Sequence, residues 1–182
     1  GRPTAGMSEM KTRQLIMGGL ILFGAEIPCA QESLSAAPRT VAYVLQAEGI
    51  GKTRQEAVRR LRECARDWII IDPAYEDDRD SRWTGDEIQD IRSGKTGRRV
   101  LAYLSIGEAE NYRSYWKREW DANRDGKPDL NAPAWLCAEN PDWKGNYRVR
   151  YWQAAWQSLM LKGVDDAVKQ GFDGVYLDVV DA

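Results

Sequence analysis

The sequence predicts an α/β fold of the (β/α)8 TIM-barrel type, with this chain supplying about the first four βα units. Two observations predict it. From residue 41 onward, apolar strand-like runs alternate with segments of helical spacing. The runs are continuously apolar, as in parallel strands covered on both faces. A third concerns size: a closed barrel needs about 250 residues, and four strands within 182 residues account for half of one. A doubly wound open sheet, complete with these strands, is the alternative. No Pro/Ser-rich linker interrupts the pattern, so residues 31–182 read as one domain.

The elements follow in order. Residues 41–46 form a first strand, and a helix from Thr53 carries Ala57, Val58, Leu61, Cys64 and Ala65 at three- to four-residue spacing. Residues 68–72 form a second strand, ended by Pro73. A second helix runs from Thr84 to Arg92, where Thr84 and Glu87 match the capping-box pattern. Residues 100–106 form a third strand, and a long aromatic-rich segment occupies 111–151. A helix over 152–170 ends at Gly171, the expected C-terminal glycine, and residues 174–180 form a fourth strand.

Residues 1–30 read as a leader. Lys11 and Arg13 precede an apolar run from Leu15 to Ala25 that is too short to span a bilayer. A basic head, a short apolar middle and small residues after it describe a secretory signal peptide, cleaved after Ala25 or Ala30. A lipid anchor at Cys29 and a buried helix are the alternatives. Export implies no membrane contact after cleavage. It also permits a disulfide between Cys64 and Cys137, with two free thiols the other outcome.

Composition narrows the chemistry. Twenty-six basic residues are balanced by 28 acidic ones, for a net charge of -2. Nucleic-acid surfaces concentrate Lys and Arg, so nucleic acid is not an expected partner. The sequence holds no histidine, which removes Ser-His-Asp and Cys-His catalysis and leaves proton transfer mainly to Asp and Glu.

Barrel enzymes place their reactive groups at strand ends. Asp72 ends the second strand, Glu108 follows the third, and Asp178 and Asp181 end the fourth. Strand alternation puts Tyr176 and Asp178 on one side and Leu177 and Val179 on the other. Two carboxyl groups suffice for glycosidic cleavage, one protonating the leaving oxygen and the other acting as nucleophile or base. The competing reading is that each acid caps a following helix. Asp178 is the catalytic candidate. Asp72, Glu108, Asp181, Tyr43, Tyr103 and Tyr176 are the substrate-binding candidates.

Eight tryptophans, all from Trp68 onward, could stack on sugar rings. Trp152 and Trp156, four apart on one helix face, read as core; Trp116, Trp135 and Trp143 stay open between core and binding. Residues 46–53 sit between strand and helix as a phosphate loop does, but Gln46 stands where that loop needs glycine. Residues 121–129 place oxygens like a calcium loop, yet Ala132 occupies the twelfth position, which favours a solvated polar turn.

Four ordered blocks then carry a resemblance: 101–110 (Leu-Ala-Tyr-Leu-Ser-Ile-Gly-Glu-Ala-Glu), 112–116 (Tyr-Arg-Ser-Tyr-Trp), 139–152 around Asn140-Pro141-Asp142-Trp143, and 171–181 (Gly-Phe-Asp-Gly-Val-Tyr-Leu-Asp-Val-Val-Asp). Over residues 41–182 the sequence resembles glycoside hydrolase family 114, the endo-α-1,4-polygalactosaminidase-like proteins. The resemblance implies a (β/α)8 barrel that cleaves α-1,4-linked galactosamine polymer without a cofactor or metal. It implies a catalytic carboxylate at Asp178, with Asp181 beside it and a partner acid on a later strand, in the C-terminal half of the barrel. The expectation is a secreted glycosidase with a polysaccharide substrate. The alternatives are a non-catalytic polysaccharide-binding protein on the same barrel and a fragment that needs its other half to fold.

Overall fold

The computed structural model describes residues 37–76 and 81–180. The expected signal peptide over 1–30 and the candidate Asp181 lie outside the described residues. Strands β1 (Val41–Val44), β2 (Trp68–Ile71), β3 (Arg99–Ser105) and β7 (Gly174–Asp178) form a parallel sheet in the order β1-β2-β3-β7. Helices α1 (Arg54–Glu63), α2 (Gly85–Ser93) and α3 (Ala154–Gln170) make the crossovers.

Each parallel strand is added beside the previous one, always on the same edge. Right-handed crossovers then place every helix on one face. The packing agrees: Ala57, Val58 and Leu61 of α1, Ile88 and Ile91 of α2, and Ala167 of α3 share one core with Ile69, Ile71, Val100 and Ala102 of the sheet. A doubly wound sheet would carry helices on both faces. The arrangement is that of a barrel wall, four strands of a (β/α)8 fold.

The opposite face carries the alternate residues. Val41, Tyr43, Ile70, Tyr103, Tyr176 and Asp178 alternate with the core residues along their strands. Tyr43 lies edge-on to both Tyr103 and Tyr176, at 6.1 and 5.6 Å between ring centres.

Local sequence sets the helix ends. Thr53 accepts a hydrogen bond from the Glu56 amide, and Thr84 with Glu87 forms the complete capping box. Gly171 closes α3 with φ of 92°, a left-handed turn in which a side chain is strained. At the amino end of the sheet, the guanidinium of buried Arg98 donates to the carbonyls of Leu61, Arg62, Cys64, Arg66 and Ile91. It thereby satisfies carbonyls at the end of α1 that the helix leaves unpaired, and it shares the Ile91 carbonyl of α2 with the Gly94 amide. Cys64 and Cys137 are both free thiols.

The segment between β3 and α3 holds a second sheet that the sequence pattern did not disclose. Strands β4 (Glu108–Glu110), β5 (Leu136–Glu139) and β6 (Asn146–Val149) pair antiparallel in the order β4-β6-β5. Their spans are three or four residues, too short for a period-2 signal. Aromatic packing holds the insertion together: Trp120, Trp135, Tyr147 and Trp156 are buried in one cluster with Leu136 and Met160. The Trp156 indole donates to the Ile106 carbonyl at 2.8 Å and ties α3 to the end of β3. Trp135 is therefore core, Trp116 packs against it, and Trp143 is exposed. Trp156 is core as expected; Trp152 is 63% exposed, so the pair divides.

Candidate active site

Asp178 ends β7, level with Ser105 at the end of β3. Its Oδ2 accepts a hydrogen bond from the Tyr43 hydroxyl at 3.2 Å, and Tyr103 packs edge-on against that tyrosine. Tyr43 stands on β1 and Asp178 on β7, the two edges of the sheet. Three interstrand steps of ~4.8 Å separate such strands, and side chains on one face of a flat sheet stand parallel. The contact therefore requires the sheet to curl toward its tyrosine face. Val179 follows Asp178 with φ of 56°, a left-handed conformation that costs a β-branched residue about 1–3 kcal/mol. The chain thus turns sharply just beyond the carboxylate.

Burial pushes the Tyr43 hydroxyl above the ordinary tyrosine range, and the Asp178 carboxylate adds to the effect. Tyr103 is raised too, by burial first and then by Glu110 and Asp178. Tyr43 is the donor to Asp178.

Asp72 follows β2 at the same carboxyl-terminal end. Its Oδ1 accepts from the Ala74 amide and its backbone carbonyl from the Trp83 indole. Its carboxylate receives a two-pronged contact from Arg113, Nη1 to Oδ1 at 3.0 Å and Nη2 to Oδ2 at 2.7 Å. The same guanidinium donates from Nε to Oε2 of Glu110 at 2.6 Å. Tyr112 donates to Oε1 of Glu110 and turns its ring to the guanidinium, 4.9 Å from its centre. Burial works against the charge of Arg113, but Glu110 and Asp72 more than offset it and hold its pKa above the usual arginine value.

Glu110 is 4% exposed. Its position comes from β4, where it pairs with Asn146, and its amide donates to the Tyr115 hydroxyl at 3.0 Å. Glu110, Tyr112 and Arg113 were not among the expected site residues, although all three lie in the blocks that carry the resemblance. An acid, an aromatic and a base within four residues was the available signal.

Glu108 goes elsewhere. It is buried in the second sheet and accepts from Asn140 at 2.6 Å and from Asn146 at 3.1 Å. Glu108 opens β4, and both of its amide partners come from the insertion. The structure thus joins Tyr43 to Asp178, Tyr103 and Tyr176, links Asp72 to Glu110 through Arg113, and pairs Glu108 with Asn140 and Asn146.

A cavity of about 320 Å³ adjoins the cluster, bounded by Tyr103, Glu110, Tyr112, Arg113, Met160 and Gln170. Beyond Tyr112, a cleft of about 540 Å³ runs over Trp116 and Tyr147. In the loop over 121–129, Asp121 accepts from the Asp125 and Gly126 amides and from the Tyr147 hydroxyl. Burial pushes the Asp121 carboxyl up, but these donors outweigh it and hold it below the ordinary range. Among the described residues no group of three or more Asp, Glu, Cys or His is placed to hold a metal ion.

Comparison with known proteins places this site in context. The profile of glycoside-hydrolase family GH114 matches residues 72–182. An uncharacterised protein of Deinococcus radiodurans is 40% identical over 155 residues, 85% of this chain and 44% of that protein. One of Methanocaldococcus jannaschii is 41% identical over 113 residues, 62% of this chain and 30% of that protein. The chain spans less than half the length of these relatives. A variant of the glycoside hydrolase domain of PelA from Pseudomonas aeruginosa superposes with a TM-score of 0.50 at 17% identity, over 79% of this chain and 46% of that one. That likeness concerns the fold.

Proposed function

Because the chain belongs to glycoside-hydrolase family GH114, we propose that it is the amino-terminal part of a secreted glycosidase acting on α-1,4-linked galactosamine-type polysaccharide, with Asp178 as its nucleophile. One observation carries the reading: Asp178 lies at the carboxyl ends of curved parallel strands, held by the Tyr43 hydroxyl, with Glu110 acting on both Tyr43 and Tyr103. In this mechanism the Asp178 carboxylate attacks the anomeric carbon while a second carboxyl group protonates the departing glycosidic oxygen. Water then releases the sugar from Asp178.

The acidic surroundings suit a cationic amino sugar. Asp72, Glu110 and Asp178 carry three negative charges against the single positive charge of Arg113. An ammonium bound there gains charged hydrogen bonds of about 1.5–3 kcal/mol each. Tyr43 and Tyr176 offer hydroxyls and ring faces to the same sugar, and buried Tyr103 supports Tyr43. The secretion part of the proposal rests on the leader-like residues 1–30; among the described residues, no helix is long and apolar enough to cross a membrane.

A second reading keeps the fold and drops the reaction. Arg113 occupies both Asp72 and Glu110, so one open carboxylate remains at the described mouth, whereas hydrolysis needs two carboxyl groups. A polysaccharide-binding protein needs only one. Incubation with α-1,4-linked galactosamine oligomers, followed by mass spectrometry, separates the two. Shorter oligomers support the hydrolase. Saturable binding with intact oligomers supports the binding protein, and neither result would refute both readings.

A further inference from the structure

The three carboxylates at the mouth are not equivalent. Asp72 takes two N–H groups of Arg113 and Glu110 takes a third, so one cation serves two anions brought in by different segments. Asp178 has one hydroxyl partner, Tyr43, and no cation within ion-pair distance among the described residues. Building on the hydrolase reading above, we propose that Arg113 is the positioning residue of this site: it confines Asp72 and Glu110 and leaves Asp178 as the carboxylate open to the sugar.

The geometry favours arginine for this task. A planar guanidinium can present a pair of parallel N–H groups to one carboxylate and its Nε–H to another. Here the fork meets Asp72 and Nε meets Glu110. Tyr112 closes the arrangement with its ring near the guanidinium and its hydroxyl on Glu110. The side chains of Asp72, Glu110 and Arg113 are 14%, 5% and 18% exposed, so their interactions are weakly screened. Without the cation, two carboxylates would face each other in a poorly solvated place, and like charges at close range do not both remain ionised. A proton taken up there would turn an acceptor into a donor beside Asp178. The groups that face this centre are Tyr43 from β1, Tyr103 from β3, Tyr176 and Asp178 from β7, and Glu110, Tyr112, Arg113 and Tyr115 from the insertion.

The test is carbon-13 NMR titration of the Asp and Glu side-chain carboxyls in wild-type protein, Arg113→Gln and Arg113→Lys, with Asp178→Asn used to assign the Asp178 resonance. In Arg113→Gln a carboxyl that does not titrate above about pH 6 in the wild type should do so, and the Asp178 resonance should move with it. Arg113→Lys, which keeps the charge and loses the fork, should fall between. If the glutamine variant does not fold, the lysine variant decides: a displaced Asp178 titration supports the proposal and an unchanged one overturns it. Curves that superimpose in all forms overturn it as well.

On galactosamine oligomers, Arg113→Lys should lower kcat by on the order of 10²-fold with little change in KM. A kcat equal to wild type would contradict a positioning role. Altered titrations in a protein that hydrolyses nothing would remove the hydrolase reading and leave the role of Arg113 standing. Unaltered titrations would remove that role whether or not the protein hydrolyses.

Discussion

The hydroxyl of Tyr43 on β1 donates to Oδ2 of Asp178 on β7 across 3.2 Å, although β2 and β3 lie between their strands. The two residues are 135 positions apart in sequence, so the contact reports the sheet and not a local turn. It ties the curvature of the wall to the placement of the carboxylate on which the functional proposal rests. Substitutions along this line should therefore separate curvature from chemistry.

Tyr43→Phe removes the hydroxyl and keeps the ring that packs against Tyr103 and Tyr176. Tyr43 is about half exposed, so the thermal midpoint should hardly change. The lost bond to an ionised group is worth about 1.5 kcal/mol or less at such a site, so kcat/KM on a galactosamine oligomer should fall by about tenfold. An unchanged kcat/KM would show that the bond does not matter to the reaction.

Arg98 governs stability at the opposite end of the sheet. Arg98→Met fills similar volume but strips the Leu61, Arg62, Cys64 and Arg66 carbonyls of this donor. Buried acceptors left unpaired cost about 1–3 kcal/mol each before water enters, so a loss of at least about 3 kcal/mol is expected in urea unfolding. Activity per folded molecule should persist, because Arg98 lies far from Asp178 along β3. A loss below about 1 kcal/mol would mean that solvent already satisfies these carbonyls.

Acid should weaken the fold partly through Asp67. The Lys95 ammonium, helped by the Thr40 and Arg39 amides, holds this carboxyl at about 2 against the opposing effect of desolvation. An unfolded aspartate titrates near ~3.9. The folded value is the lower one, so this stabilisation is complete above about pH 4 and disappears as pH falls toward 2. Asp67→Asn should be less stable than wild type at pH 6, with the gap closing by pH 2. A gap independent of pH would contradict the assignment.

Gly171→Ala should cost about 1 kcal/mol through its φ of 92° at the end of α3. The urea midpoint should drop with no change in the slope of unfolding. No drop would mean that the turn relaxes to a conformation that alanine tolerates.

The parallel wall was legible because its strands are apolar on both faces and its helices carry ordinary caps. Thr84 with Glu87 and Gly171 were readable from sequence alone, and both ends form as expected. The second sheet was not, because it is built from three- and four-residue strands held by aromatic packing and not by periodicity. That omission had a functional consequence. In sequence Glu108 is the acid that follows the third strand; in the structure it binds Asn140 and Asn146, while Glu110, two residues on in the same short strand, meets Arg113. Strand alternation put Tyr176 and Asp178 on one side of the last strand, and both meet Tyr43 in the structure.

The most direct measurement compares Asp178→Asn with wild type for release of reducing ends from α-1,4-linked galactosamine polymer, with thermal unfolding recorded alongside. The account predicts turnover reduced by at least ~10³-fold at an unfolding midpoint close to that of wild type. Turnover within about tenfold of wild type would contradict it and detach the reaction from this carboxylate.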